Sequence, residues 1–351
     1  MRTSIGRVAL PAAFLATVAA FLAGCGAAPP TTTPPAGPTP SAASGTPLPT
    51  ATDAPAVTQR FDFGDQAVVD TALVGTNDKY INPGAVIEVD GVLHMFANSF
   101  SNWPGQVRIP HLTSMDGVDW ILDDGAELID SDDSGMFPMA DPGIDVSTGY
   151  VADDGTWVLF FETVQRGSPW EVWRMTAPTP QGPWTIDDVP SLPAGDAGAF
   201  DAGGVQWPSI VRVRDRWAMY FTGLGTSGRG SGVIGVAFSD DGVAWTRESA
   251  PALVATEDWE VGQLDRPRVV TTGGGLVMVY AGLDLTTRAL ATSIDGLAWT
   301  KVAGPSIESS DFPIVGGSWD AALLHRDGEL EYFLEIGGLT TKIYRSTLAW
   351  P

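Results

Sequence analysis

The chain has 351 residues, 44% of them hydrophobic, one cysteine and a formal net charge of -23. That length suits one large all-β domain or two ordinary ones, and a single Cys excludes an internal disulfide framework. An excess of 42 acidic over 19 basic side chains, with no basic cluster, excludes a nucleic-acid partner and keeps an exported protein soluble.

Arg2 and Arg7 precede an apolar run from Val8 to Leu22, too short and too Ala-rich for a transmembrane helix, so residues 1–24 read as a secretory signal. Leu22-Ala23-Gly24-Cys25 resembles the lipobox of bacterial lipoproteins, which implies that Cys25 is lipidated and becomes the new N-terminus. Several acyl chains on one residue give stable anchoring. Residues 25–58 pair that Cys with a segment rich in Pro, Thr, Ala, Ser and Gly. Such a segment buries too little apolar surface to offset its ordering entropy, so a disordered tether is expected. The expected location is the outer side of the bacterial cell membrane.

The folded part, 59–351, repeats. Strand-opening prolines Pro83, Pro142, Pro208 and Pro267 stand 59, 66 and 59 residues apart. Each is followed by a second apolar strand: Val92 to Phe96, Trp157 to Phe161, Trp217 to Phe221 and Leu276 to Tyr280. Nearly continuous apolar runs suit strands covered on both faces. A closing turn of pattern S-x-D-G-x-x-W follows at Ser114 to Trp120, Ser239 to Trp245 and Ser293 to Trp299, and Gln181-Gly182-Pro183-Trp184 takes its place in the second unit. Ser and Asp accept bonds from turn amides, Gly supplies a positive φ and Trp covers the gap between sheets, so the motif reads as structural.

A fifth unit, Asp311 to Pro351, lacks the closing turn and its following strand. The stretch Gln66 to Val74 belongs to no other unit and is expected to supply that strand, joining the chain's ends and removing an exposed edge. Five four-stranded units at a period near 60 specify an all-β, five-bladed β-propeller.

In a propeller the first strand of each blade lines the central channel. Aligning the units on their second strands makes Asn82, Asp141, Trp207, Arg266 and Asp320 equivalent, with Ile81, Ala140, Gln206, Asp265 and Trp319 one residue earlier. The second strands end on Asn98, Glu162, Thr222, Gly282 and Glu335. Packing alone gives no reason for Asp, Arg, Asn, Gln and Trp at innermost positions. They make a polar pocket with aromatic platforms, which suits a sugar. His94, His111 and His325 show no ligand spacing, so no zinc site is expected. Trp103, Trp170 and Trp173 lie in insertions, either lining a cleft or packing between blades.

The five-unit pattern, the Pro-started inner strands, the DG-x-x-W turns and Gln181 to Thr185 resemble the five-bladed glycoside hydrolases of families 43 and 32, over residues 60 to 351. In enzymes of the arabinanase-xylosidase type an Asp base precedes the Pro of the first blade. An Asp of the second blade tunes the acid, and a Glu acid stands two residues before the Pro of the third. The resemblance puts Asp141 on the second of these positions but Asn82 on the first and Gln206 on the third. Amides exchange no proton near neutral pH, whereas glycoside hydrolysis needs one protonated and one ionised carboxyl group.

A substitute pair is expected from Asp141 with Asp265 or Asp320, with Glu162 and Glu335 as further channel carboxylates and Asp145 and Asp284 as other candidates. Arg266 is expected to hold a substrate carboxylate or to pair with Asp320, while Asn82, Gln206, Trp207 and Trp319 hold the sugar. The implied function is a cell-surface glycosidase acting on arabinan, xylan or fructan. The alternative is a non-catalytic glycan-binding lipoprotein in which Asn82 and Gln206 bind hydroxyls. The expected partners are carbohydrate and, through Cys25, the membrane. The chain is expected to act as a monomer without a cofactor. An axial Ca2+ is compatible with such a propeller, but no residue pattern calls for one.

Overall fold

The computed structural model describes residues 59–350 except 134, 138–142, 165–168 and 228–230. The signal, Cys25 and the tether lie outside the described residues, as do Asp141 and Pro142. Five antiparallel sheets follow one another along the chain as the blades of a β-propeller. The first blade comprises Tyr80–Val89, Val92–Phe100, His111–Ser114 and Ile121–Leu122, and two short strands, Val107–Ile109 and Ile129–Asp130, extend it beside the end of its second strand. The second comprises Gly143–Val151, Trp157–Val164, Glu171–Ala177 and Thr185–Ile186. The third comprises Gly204–Val213, Arg216–Leu224, Val233–Ser239 and Thr246–Arg247, and the fourth Asp265–Thr272, Gly275–Ala281, Arg288–Ser293 and Thr300–Lys301.

The fifth blade takes Gly317–Arg326, Glu329–Gly337 and Thr341–Ala349 from the end of the chain and Asp62–Phe63 from its beginning. Asp62 pairs with Thr347 and Phe63 with Ser346. The closing strand therefore lies a few residues earlier than the stretch expected from sequence. Within that stretch only Val69 bridges to Ile343, and Thr71–Val74 forms one helical turn capped by Asp70 and ended by Gly75 at φ 68°. Apolar side chains decide this: Phe61 and Phe63 are buried, with the Phe61 ring 5.3 Å from Tyr332, whereas Asp70 is spent on the helix amides.

The first strands of neighbouring blades touch around a closed ring, the fifth meeting the first. Apolar clusters fill all five blade junctions. Each blade is thus covered on both faces, which explains the nearly continuous apolar second strands. The closing turns repeat one geometry. In the first, Ser114 Oγ accepts from Gly117 N at 2.9 Å, while Asp116 Oδ1 accepts from Val118 N and Asp119 N at 2.8 and 2.9 Å. Ser239 with Asp241, and Ser293 with Asp295, do the same. Those amide bonds hold the three Asp carboxyls below the usual carboxylate range. The turn tryptophans, and Trp184, each pack against a ring of the preceding blade: Trp120 on Phe333, Trp184 on Phe96, Trp245 on Phe160 and Trp299 on Tyr220.

The first strands carry a bulge near their start. Pairing with the second strand jumps between Asn82 and Ala85, Gln206 and Ser209, Asp265 and Arg268, and Ser318 and Ala321. Pro83, Pro208 and Pro267 sit inside these bulges rather than at strand openings, where a missing N–H costs no ladder bond. In the second blade the jump lies between Val146 and Thr148, and Asp145 pairs with Glu162. Thr148 Oγ1 accepts from Ile210 N just as Ser209 Oγ accepts from Val269 N. By that equivalence Asp145, not Asp141, matches Asn82, Gln206 and Asp265, so the sequence alignment of the second blade is corrected by four residues.

Candidate active site

The bulges aim the starts of all five first strands at one end of the axis, where they border a cavity of about 450 Å³. Asn82, Asp145, Trp207, Arg266, Trp319 and Asp320 reach it from the first strands, with Glu162 and Glu335 from second strands. Trp103 and Trp170, stacked at 6.1 Å with planes 16° apart, form part of its wall. These two aromatics belong to the cavity, whereas Trp173 lies in the third strand of the second blade and does not border it.

Four of the bordering residues are carboxylic acids, each less than 10% exposed. Their surroundings differ. Burial pushes Glu162 up to about 8, with the nearby Asp320 adding to the shift, and Ser147 Oγ donates to its Oε2 at 2.8 Å. Burial pushes Glu335 up to about 7. Asp145 is raised well above its ordinary value by burial, then by Asp320 and Glu162, although Asn82 Nδ2 donates to it at 3.3 Å. Asp320 is the carboxylate partner of Arg268, which is itself buried. Asp320 Oδ2 has no hydrogen-bond partner among the described residues. Like charges in so small a space cannot all ionise.

Arg266 stacks on Trp207 with its guanidinium carbon 3.8 Å from the ring centroid, so the cation covers one face of that ring. Both residues hold left-handed backbone, with φ 48° and 49°, a strained state for bulky side chains that the bulge imposes. Asp265, proposed from sequence as acid or base, stands off the cavity surface. Its oxygens accept from Thr222 Oγ1, Gln263 Nε2 and the Arg266 amide at 2.8–3.1 Å. Gln206 is likewise buried behind the lining, opposite Thr222. The ion pair expected between Arg266 and Asp320 is not formed: Arg268 takes Asp320, and Arg266 Nη1 lies 3.7 Å from Asp265. Asp284 caps its own turn at Thr286 and Thr287. Asn82 accepts from Asn98 Nδ2 at 2.7 Å, so its oxygen is already engaged.

Sequence reasoning missed Arg268. The available signal was a second Arg directly after Pro267, ahead of the apolar pair Val269 and Val270. Among the described residues no group of three or more His, Cys, Asp or Glu is arranged to hold a metal ion.

No family model matches the chain. Two uncharacterized proteins of Mycobacterium tuberculosis, from strains CDC 1551 and H37Rv, are 33% identical over 139 residues, which is 36% of this chain and 46% of theirs. The chain thus spans about half the length of the curated relatives it matches. Solved structures resemble it across most of its length. A glycoside hydrolase superposes with a TM-score of 0.63 at 16% identity, over 84% of this chain and 93% of that one. A family 117 glycoside hydrolase from the marine bacterium Zobellia galactanivorans gives 0.57 at 14%, over 84% and 91%. A family 130 structure gives 0.56 at 15%, over 83% and 94%, and is described as coming from mannoside phosphorylases that include glycoside hydrolases targeting β-1,2 mannosidic linkages in Candida mannan. The fold is therefore one on which glycoside hydrolases are built.

Proposed function

We propose that this propeller is a glycoside hydrolase whose reaction takes place in the axial cavity. The observation that carries the reading is a buried carboxyl group, Glu162, whose pKa burial pushes up to about 8, bordering the same cavity as a second carboxyl group, Asp320, that Arg268 holds in place. Glycoside hydrolysis requires this division of labour. Glu162, protonated up to about pH 8, gives its proton to the glycosidic oxygen as the bond to the sugar breaks. Asp320 takes a proton from the attacking water or itself attacks the anomeric carbon. Arg268 holds Asp320 in place, and Ser147 orients Glu162. Trp319 with the Trp103 and Trp170 pair supplies apolar faces for sugar rings.

The substrate class remains that implied by the sequence resemblance, arabinan, xylan or fructan, and the family 130 likeness adds mannan to the panel. The protein is proposed to be exported, anchored by lipid at Cys25 and active as a monomer on carbohydrate outside the cell. A second reading, a glycan receptor without catalysis, draws on the aromatic faces of Trp319, Trp103 and Trp170, which hold sugar rings whether or not a bond is broken. The test is reducing-sugar release by the full-length protein on arabinan, xylan, fructan, galactan and β-1,2-mannan between about pH 5 and 8. Release that Glu162→Gln and Asp320→Asn each abolish supports the hydrolase. No release from any glycan, with saturable binding retained, supports the receptor.

A further inference from the structure

Beyond general sugar binding, the cavity is bordered by a guanidinium, Arg266, whose ion pair among the described residues, to Asp265, is longer than a hydrogen bond. Arg266 is 7% exposed; its Nε and Nη1 are shielded from solvent and without a hydrogen-bond partner among the described residues, which leaves Nη2 as the atom it can present to the cavity. Its nearest carboxylate, Asp265 at 3.7 Å, is beyond hydrogen-bond reach of Nη1 and has its oxygens occupied by Thr222, Gln263 and the Arg266 amide. Trp207 fixes the guanidinium plane from one side. A buried guanidinium without a matched acceptor is costly to maintain, and here it is also built on strained backbone. A second cation, Lys79, borders the same cavity, is exposed, and its ammonium makes no ion pair or hydrogen bond among the described residues. In a chain of net charge -23, an unpaired lysine and an arginine held only by a 3.7 Å ion pair at one cavity are a local exception to the overall charge.

We infer that Arg266 and Lys79 form a subsite for an anionic substituent on the sugar, so that the substrate is an acidic glycan. The guanidinium, fixed on Trp207, offers an anion a charged donor at a set position, while the ammonium at the rim adds charge without fixed geometry. A uronic acid carboxylate and a sulfate ester share this chemistry. The neighbouring acids do not cancel the attraction. Asp320 is already matched by Arg268, burial raises Asp145 well above its ordinary value, and it pushes Glu162 up to about 8 and Glu335 up to about 7. The inference rests on the reading of the cavity as a sugar site, but it does not require turnover.

The experiment is calorimetric titration of the full-length protein with a galacturonate disaccharide, a sulfated galactose disaccharide and neutral galactobiose. The expected result is at least about tenfold tighter binding of one of the anionic sugars, as a charge-assisted hydrogen bond provides. The tighter of the two identifies the substituent. That preference falls below about threefold in Arg266→Gln, weakens in Lys79→Ala, and declines as salt is raised from about 0.05 to 0.5 M. Equal affinity for all three sugars, or a preference that survives Arg266→Gln, overturns the inference. If Arg266→Gln fails to fold, Lys79→Ala and the salt series decide: a preference indifferent to both overturns it. Hydrolysis of neutral glycans without an anionic preference removes this subsite and leaves the hydrolase reading standing. Tight anion-dependent binding without hydrolysis does the reverse.

Discussion

Glu162 links stability to activity, and Glu162→Gln separates the two. In the unfolded chain this carboxyl ionises near 4.5, and in the folded protein near 8. Between those values the native state holds a proton that the unfolded state has released, so stability falls as pH rises through the interval, by about 1.4 kcal/mol per unit. At pH 7 the accumulated cost is about 3 kcal/mol, whereas at pH 5 it is below about 1 kcal/mol. Gln keeps the shape and can still meet the Ser147 hydroxyl, but it has no charge to suppress. The variant is therefore expected to melt about 4–10 °C above the native protein at pH 7, by the usual conversion for domains of this size, and within about 3 °C of it at pH 5. Thermal melts at both pH values, alongside glycan hydrolysis, make the check. A melting difference that does not change with pH, or a less stable variant at pH 7, refutes a protonated Glu162 and with it the assignment of the acid.

Arg268→Met leaves Asp320 as an uncompensated buried carboxylate and is expected to cost about 3–5 kcal/mol in denaturant unfolding. Adding Asp320→Leu should recover much of that loss, and no recovery would deny the pairing. His111, stacked on Phe96 and bonded to His94 and Asp123, is pushed down to about 4 by burial and then by His94. Its ring should titrate by NMR near pH 4, and stability should fall as pH drops from about 6.5 towards 4, because the unfolded chain then binds the extra proton. A midpoint near 6.5 would contradict this. Gly242, at φ 73°, leaves room for no side chain, since a Cβ there would lie 2.2 Å from Tyr150 Oη. Gly242→Ala should lower stability by roughly 2 kcal/mol or more, and an unchanged melting temperature would show that the turn tolerates both the strain and the contact.

The closing turns were legible in full because every bond in them is local. Ser, Asp and Gly at fixed offsets meet their own amides whatever the rest of the chain does. The second strands were equally legible, since burial on two faces leaves an unbroken apolar run. The fourth strand of the last blade was not. Its pairing joins Asp62–Phe63 to residues far along the chain, and what selects it is the pocket for Phe61 beside Tyr332 rather than any local pattern. The second blade misled for a related reason. Its first strand bulges without a Pro, so Pro142 stood in for a landmark that belongs near Ser147.

Sequence alone thus determined the number of blades, the order of strands in the first four, and the gathering of polar and aromatic residues at the starts of the inner strands. Which of those residues face the cavity was decided only in three dimensions. Side chains alternate faces along a strand, and each bulge resets that alternation. Asp265 is therefore bound up behind the lining while Asp320 borders it, and Arg268 grips Asp320 while Arg266, two residues earlier, lies open on Trp207. The acid strength of Glu162 was likewise invisible in the sequence. It arises from burial and from Asp320, a residue far along the chain that only closure of the propeller brings near.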